Sequence, residues 1–225
     1  MNFRLSDVWK CMKILKVNPE NLRDSEEAIV EAAKIMLSGG TVVFPTDTVY
    51  GLGCDATNEQ AIKKVFKIKG RKETQPMAVI VRDLEMVKKV ASVDRRLEKA
   101  LGIIWPGAVT AVLWKKYKLP EILTAKEQTI GLRIPDYKLT QFLAENMGRP
   151  YVATSANISG RQATTKIDEV LKYFEESFLK PDLILDAGDL KFCEPSTVLD
   201  LSKEKPKIVR IGPVNKDKLL EILSI

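Results

Sequence analysis

Five groups of polar side chains stand out because each lies at the end of a short apolar run or inside one. They are Thr46 with Thr48, Lys69 with Arg71, Arg133, Ser155 with Asn157, and Ser196 with Arg210. Most of these side chains are cations or hydroxyls, and general bases are scarce. Such a set suits binding an anion and stabilising charge better than it suits proton abstraction. The pattern therefore predicts nucleotide chemistry on a substrate that brings its own nucleophile.

The densest group lies in the segment SGGTVVFPTDTVYGLGCD, residues 38–55. Its β-branched and aromatic run, Thr41–Phe44, predicts a buried strand that breaks at Pro45. Hydroxyls and a carboxylate then crowd into a turn before Gly51 and Gly53, at a strand exit where open α/β sheets usually bind ligands. A capped turn whose hydroxyls satisfy nearby backbone groups is the alternative interpretation.

Two of the cationic groups allow more than one interpretation. Lys69 and Arg71 follow a helix that Asn58 is expected to cap, and cations at a helix C-terminus often compensate the helix dipole. Arg133 lies inside the apolar strand Ile130–Ile134, where an unpaired guanidinium is costly to bury. Arg133 therefore needs an anionic partner, either a protein carboxylate or a ligand, and we favour a ligand.

Several classes of chemistry are excluded because the chain contains no histidine. Ser-His-Asp and Cys-His catalysis, histidine general bases and His-ligated zinc are all ruled out. The three cysteines, Cys11, Cys54 and Cys193, are scattered without metal-ligand spacing, which predicts a reducing compartment, no disulfide and no metal site. No apolar segment approaches the length of a membrane span. We therefore expect a cytoplasmic protein.

Phosphates, if bound, must be held by side chains. Gly51, Gly53 and Ala56 fit the dinucleotide fingerprint formally, but the helix signal begins only at Asn58 and the residues before the glycines are not a strand. A G-x-x-x-x-G-K-[ST] loop is also absent from the sequence. The formal charge of +6 favours anionic partners such as nucleotides or RNA, although a lysine-rich proteome would produce the same balance.

Helix and strand signals alternate irregularly along the chain. Asp24 with Glu27, and later Thr165 with Asp168, resemble the capping patterns that start helices. Apolar spacing also predicts a short helix in the first dozen residues and a C-terminal helix from Asn215. Without a linker or a shift in composition, the pattern predicts one three-layer α/β domain with a mixed twisted sheet.

Seven short segments, in this order and spacing, are far more specific than any single motif. They are PTDTVYGLG at Pro45–Gly53, KGR at Lys69–Arg71, WPG at Trp105–Gly107, LRIP at Leu132–Pro135, TSANISG at Thr154–Gly160, PSTVLD at Pro195–Asp200 and RIG at Arg210–Gly212. At these segments the sequence resembles the YrdC-like threonylcarbamoyl-AMP synthases. The resemblance implies a single YrdC-like catalytic domain over residues 13–225 with a concave basic face, preceded by an N-terminal extension of residues 1–12.

The resemblance also implies a reaction. L-threonine, bicarbonate or CO2, and ATP with Mg2+ would yield threonylcarbamoyl-AMP and pyrophosphate, the work of a nucleotidyltransferase. A separate threonylcarbamoyl transferase would then use the adenylate to make N6-threonylcarbamoyladenosine at position 37 of tRNA. This reaction agrees with the residues, because the amine of threonine captures CO2 and the resulting carbamate attacks phosphorus, so no histidine is required.

Site roles follow from the same resemblance, residue by residue. Thr48, Arg133 and Ser196 are expected to contact L-threonine, with Arg133 pairing its carboxylate. The residues expected to contact ATP and its phosphates are Lys69, Arg71, Gln75, Thr129, Ser155, Asn157 and Arg210. Lys69 and Arg71 are the expected catalytic pair, and the resemblance implies no protein-bound metal.

The sequence departs from the family pattern in two respects. Some members carry a second C-terminal domain, whereas this chain ends soon after RIG, and some place a histidine where this chain has the apolar run Met77–Ile80. A noncatalytic module that binds tRNA or double-stranded RNA on the basic face is the alternative function. The related carbamoyl-adenylate domain of hydrogenase maturation proteins fits poorly, because the expected zinc-binding cysteine pairs are missing.

Overall fold

The computed structural model describes residues 12–116 and 119–215, together with Asp217, Leu219 and Glu221. The strands in this part of the chain are β1 Lys13–Lys16, β2 Val42–Phe44, β3 Gly51–Gly53, β4 Ala78–Ile80, β5 Val109–Trp114, β6 Thr129–Arg133, β7 Tyr151–Ser155, β8 Leu183–Asp186, β9 Thr197–Asp200 and β10 Lys207–Arg210. The helices are α1 Glu26–Leu37, α2 Glu59–Lys69, α3 Leu84–Val90, α4 Arg95–Ile104, α5 Lys138–Met147 and α6 Ile167–Glu175, with 3-10 helices at Leu22–Ser25 and Glu121–Thr124.

The strands form one mixed sheet in the order β1-β8-β2-β3-β7-β4-β6-β5-β9-β10. The pairs β1–β8, β2–β8, β4–β6 and β5–β9 are parallel. The pairs β2–β3, β3–β7, β4–β7, β5–β6 and β9–β10 are antiparallel. The predicted mixed sheet is therefore confirmed.

Both faces of the sheet carry helices, because side chains alternate between faces along a strand. Val42 and Phe44 of β2 pack with α1 and α5 residues such as Ile29 and Leu139. Val43, between them, joins the larger cluster on the other face, which contains Phe66 of α2 and further residues of α3, α4 and α6. Each layer of helices thus buries its apolar side against the sheet, and the predicted three-layer arrangement is confirmed.

Gly51 and Gly53 lie in strand β3, a strand that the sequence did not predict. A Cβ on Gly53 would lie 1.9 Å from the carbonyl oxygen of Val152 in β7, and one on Gly51 would lie 2.7 Å from the ring of Phe44. The glycines therefore allow β3 to approach its neighbours closely, a role that strand glycines often have. The two glycines hide the strand from sequence analysis, because they stand where a strand usually has β-branched or aromatic residues.

Helix starts were predicted correctly at α2 and wrongly at α1 and α6. The Asn58 side chain accepts hydrogen bonds from the first turn of α2, as expected. Asp24 instead lies inside the 3-10 helix that precedes α1. At α6 the N-cap residue is Lys166, and the carboxylate of Asp189 accepts the Ile167 N–H at 3.1 Å. A residue distant in sequence thus supplies the cap that Thr165 and Asp168 were expected to supply.

The predicted helix in the first dozen residues lies almost entirely outside the described residues. At the other end, the Asn215 side chain accepts the Asp217 N–H at 2.8 Å, and the three described residues beyond Asn215 are helical, in line with the predicted C-terminal helix. Among the described residues, the helices are too short or too polar to cross a membrane.

Candidate active site

A cavity of about 300 Å3 lies on one face of the sheet. Thr129, Gly131 and Arg133 alternate along β6 and line it, while Ile130 and Leu132 pack into the cluster on the opposite face. The cavity therefore shares its face with α1 and α5. Within the described residues, the cluster formed by those helices contains no side chain from β5, β6 or β9. The helices thus leave this half of the sheet open, and the cavity occupies the open half.

The cavity brings together polar residues that are distant in sequence. The predicted site residues that line it are Thr48, Arg71, Thr129, Arg133, Ser155, Ser196 and Arg210. Lys69, Gln75 and Asn157 are not among the lining residues. Three guanidinium groups and several hydroxyls thus line one cavity, as expected of a site that binds an anion.

Arg133 is held by three acceptors from two segments of the chain. Its Nε donates to the Gly107 carbonyl at 3.0 Å, its Nη1 to the Thr48 hydroxyl at 3.0 Å and its Nη2 to the Asp47 carboxylate at 2.5 Å. The side chain is 10% exposed, and burial lowers the pKa of the guanidinium while the Asp47 charge opposes the shift. The structure thus supplies one anionic partner, the Asp47 carboxylate, and a contact of Arg133 with a ligand stays a prediction.

The loop before β3 forms hydrogen bonds within itself and also contributes side chains to the cavity. The Thr46 hydroxyl donates to the Val49 carbonyl at 2.7 Å and accepts the Thr48 N–H at 3.1 Å. This is the capped turn of the alternative interpretation. The Thr48 hydroxyl nevertheless contacts Arg133, and both threonines line the cavity. The local turn and the site contact therefore exist together.

Ser196 and Arg210 also line the cavity. Arg210 donates to the Ser196 carbonyl through Nε at 3.0 Å and Nη2 at 2.7 Å. The Ser196 hydroxyl lies 2.9 Å from the Thr110 hydroxyl, and both side chains are buried. Burial, and then the charge of Arg133, lower the pKa of Arg210. Two guanidiniums that repel one another favour an anion between them.

Lys69 does not line the cavity. Its side chain is buried, and its ammonium group donates to the Ser155 carbonyl, to the Asn157 carbonyl at 2.7 Å and to the Asn157 side-chain oxygen at 3.1 Å. Burial, with the charge of Arg71, lowers the pKa of Lys69 to about 7, although the three acceptors favour the protonated form. The contacts place Lys69 as a support for the turn after β7, while Ser155 itself lines the cavity.

Arg71 and Gln75 differ in their relation to the cavity. The Arg71 guanidinium lines it and donates to the Pro76 carbonyl at 2.8 Å and the Gln75 carbonyl at 3.3 Å. The Gln75 residue is exposed, and the contact it makes with Arg71 is through its backbone. Gln75 thus supports Arg71 but lies outside the cavity.

Asp47 and Thr110 belong to the site but were not among the predicted site residues. Asp47 lies in the segment PTDT. Two signals could have pointed to it: Arg133 lies in an apolar strand and needs an anionic partner, and Asp47 is a carboxylate in a polar segment that was already a candidate for the site. Thr110 occupies an ordinary position in the strand β5, and its meeting with Ser196 depends on the parallel pairing of β5 with β9. Among the described residues there is no group of three or more His, Cys, Asp or Glu side chains that could hold a metal ion.

Fold and cavity define an α/β protein with a cationic, hydroxyl-lined cavity on one face of a mixed sheet. The sequence matches the Sua5/YciO/YrdC family, described as "Telomere recombination", over residues 34–212. A relative from Methanocaldococcus jannaschii is 35% identical over 207 residues, which cover 92% of this chain and 96% of the relative. The chain belongs to the Sua5/YciO/YrdC family.

Two further comparisons concern longer proteins. The threonylcarbamoyl-AMP synthase of Pyrococcus abyssi is 33% identical over 203 residues, 90% of this chain and 59% of that protein. The crystal structure of P. abyssi Sua5 complexed with L-threonine superposes with a TM-score of 0.85 at 31% identity, covering 94% of this chain and 60% of that one. This chain thus spans about three fifths of the P. abyssi protein.

Proposed function

We propose that this protein is an L-threonylcarbamoyladenylate synthase, a nucleotidyltransferase. It would join L-threonine, bicarbonate or CO2, and MgATP into threonylcarbamoyl-AMP with release of pyrophosphate. The observation that carries the proposal is the convergence of Arg71, Arg133 and Arg210 with hydroxyls in one cavity. The names of the P. abyssi relatives, a threonylcarbamoyl-AMP synthase and a Sua5 bound to L-threonine, support the choice of substrate.

The residues suit a reaction in which the substrate supplies the nucleophile. The amine of threonine adds to CO2 and loses a proton to give a carbamate. A carbamate oxygen then attacks the α-phosphorus of ATP, and the bond to the β-phosphate oxygen breaks to release pyrophosphate. Arg133 would pair the threonine carboxylate, with Thr48 and Ser196 beside it, and Mg2+ would arrive with ATP as part of the substrate.

The remaining predicted contacts would hold ATP. Arg71 and Arg210 carry charge into the cavity and would stabilise the phosphates as negative charge shifts to the leaving group. Thr129 and Ser155 would contribute hydroxyls from β6 and β7. Lys69 and Asn157 would act through the turn after β7, next to Ser155, since the ammonium group of Lys69 donates its hydrogen bonds to that turn.

The product is an activated acyl adenylate, which a transferase would consume. We place this reaction before the formation of N6-threonylcarbamoyladenosine in tRNA by a separate threonylcarbamoyl transferase. Because ATP and bicarbonate are cytoplasmic metabolites, we also place the activity in the cytoplasm.

The test is pyrophosphate release by the purified protein with MgATP, omitting L-threonine or bicarbonate in turn. The proposal predicts release only when both are present. Release without threonine, or none at all, would refute it. Tight RNA binding that weakens steeply with added salt, without nucleotide turnover, would instead identify a noncatalytic RNA-binding module; the charge of +6 is the observation that favours that alternative.

A further inference from the structure

Asp47 joins two segments of the chain beside the cavity, its own loop and the end of β6 with the residues that follow it. One carboxylate oxygen accepts the Arg133 guanidinium at 2.5 Å, and the other accepts the Asp136 N–H at 3.1 Å. The Asp47 side chain is 12% exposed. Thr48 and Arg133 line the cavity, but Asp47 is not among its lining residues. Asp47 therefore contacts Arg133 without itself lining the cavity.

Arg133 has more N–H donors than its contacts with the described residues use. A guanidinium has five N–H bonds. Within the described part of the chain, acceptors occupy the Nε–H, one N–H of Nη1 and one N–H of Nη2. One N–H remains on each terminal nitrogen of a side chain that lines the cavity. These two donors, one on each terminal nitrogen, remain available to the oxygens of an anionic ligand.

We propose that Asp47 is a positioning residue for the recognition of the substrate carboxylate; this inference rests on the proposed function. Asp47 offsets the cost of burying the Arg133 charge and fixes the plane of the guanidinium. With that plane fixed, the directions of the two remaining N–H bonds are fixed as well, and less freedom is lost when the carboxylate binds. The residue thereby selects ligands with a free carboxylate over esters and amides.

The experiment is calorimetric titration with L-threonine alone, using the wild type, Asp47→Asn and Asp55→Asn. Asp55 is the matched control, because it is a buried carboxylate paired with Arg149 at 3.2 Å and does not line the cavity. We expect D47N to raise the threonine Kd about tenfold or more, and D55N to leave it unchanged in folded protein. If D47N does not fold, D47E replaces it, since the longer side chain displaces the guanidinium and should cause the same loss.

Titration with 3-hydroxybutyrate, which lacks the amino group, separates positioning from direct contact. If Asp47 acts through Arg133, D47N weakens both ligands by the same factor and adds little to the loss caused by Arg133→Lys. A loss confined to threonine would mean that Asp47 contacts the ammonium group, and it would overturn the inference, as would unchanged binding. Failure of the proposed function is distinguishable, because it shows in the wild type, either as no threonine binding in this titration or as no pyrophosphate release in the assay above.

Discussion

Replacement of Gly53 by alanine tests how closely β3 must approach β7. The added Cβ would lie 1.9 Å from the Val152 carbonyl oxygen and 3.0 Å from the Phe44 ring. Real Cβ atoms do not come so close to backbone oxygen, so the strands must separate by more than an ångström. Overpacking usually costs roughly 1–3 kcal/mol, and an obstacle made of backbone places Gly53→Ala at about 3 kcal/mol or more of lost unfolding free energy.

Gly102 provides the matched control for this substitution. It lies in the exposed part of α4, and a Cβ there would meet nothing within 4 Å. Gly102→Ala should therefore stabilise the protein by about 0.5–1 kcal/mol through reduced backbone entropy. Urea denaturation followed by circular dichroism measures both variants. A G53A protein within about 0.5 kcal/mol of the wild type would refute the close approach of the strands.

Three further predictions concern the cavity and the buried lysine beside it. Arg133→Ala should cost at least about 2 kcal/mol in kcat/KM for threonine, the scale of a charge-assisted hydrogen bond, and unchanged steady-state kinetics would remove Arg133 from the threonine site. Ser196→Ala should narrow the preference for threonine over valine, measured by competing the two amino acids, because a hydroxyl partner is lost. Lys69 has a pKa of about 7 in the folded state and 10.5 as a free side chain, so the unfolded state binds more protons between these values. The free energy of unfolding should therefore rise from pH 7 to pH 10 by more in the wild type than in Lys69→Met, and equal rises in urea titrations would contradict the lowered pKa.

The sequence predicts those parts of the fold that depend on local patterns. Asn58 caps α2 because its side chain needs only the N–H groups of the next turn. Asp24 does not cap α1, because the chain first forms a 3-10 helix capped by Asn21. Strand β3 escapes prediction because Gly51 and Gly53 carry no strand signal of their own. Contacts with neighbouring strands decide its structure, and those are not visible in sequence.

The candidate site was also predictable from the sequence only in part. The polar residues at strand ends were identifiable, because hydroxyls and cations after apolar runs are conspicuous in a sequence. Their grouping depends on the strand order, which brings residues of β6 and the loop before β9 to the same cavity. The pairing of Arg133 with Asp47 and of Ser196 with Thr110 joins residues more than eighty positions apart. Sequence spacing gives no information on such pairs.

Incubation with MgATP, L-threonine and isotopically labelled bicarbonate, followed by mass spectrometry of the nucleotide products, tests the proposed function most directly. The proposed reaction predicts an adenylate whose mass equals that of threonylcarbamoyl-AMP, with the label in its carbamoyl group, formed together with an equal amount of pyrophosphate. An unlabelled threonyl adenylate, or hydrolysis of ATP without any adenylate, would contradict the proposal that a carbamate is the nucleophile.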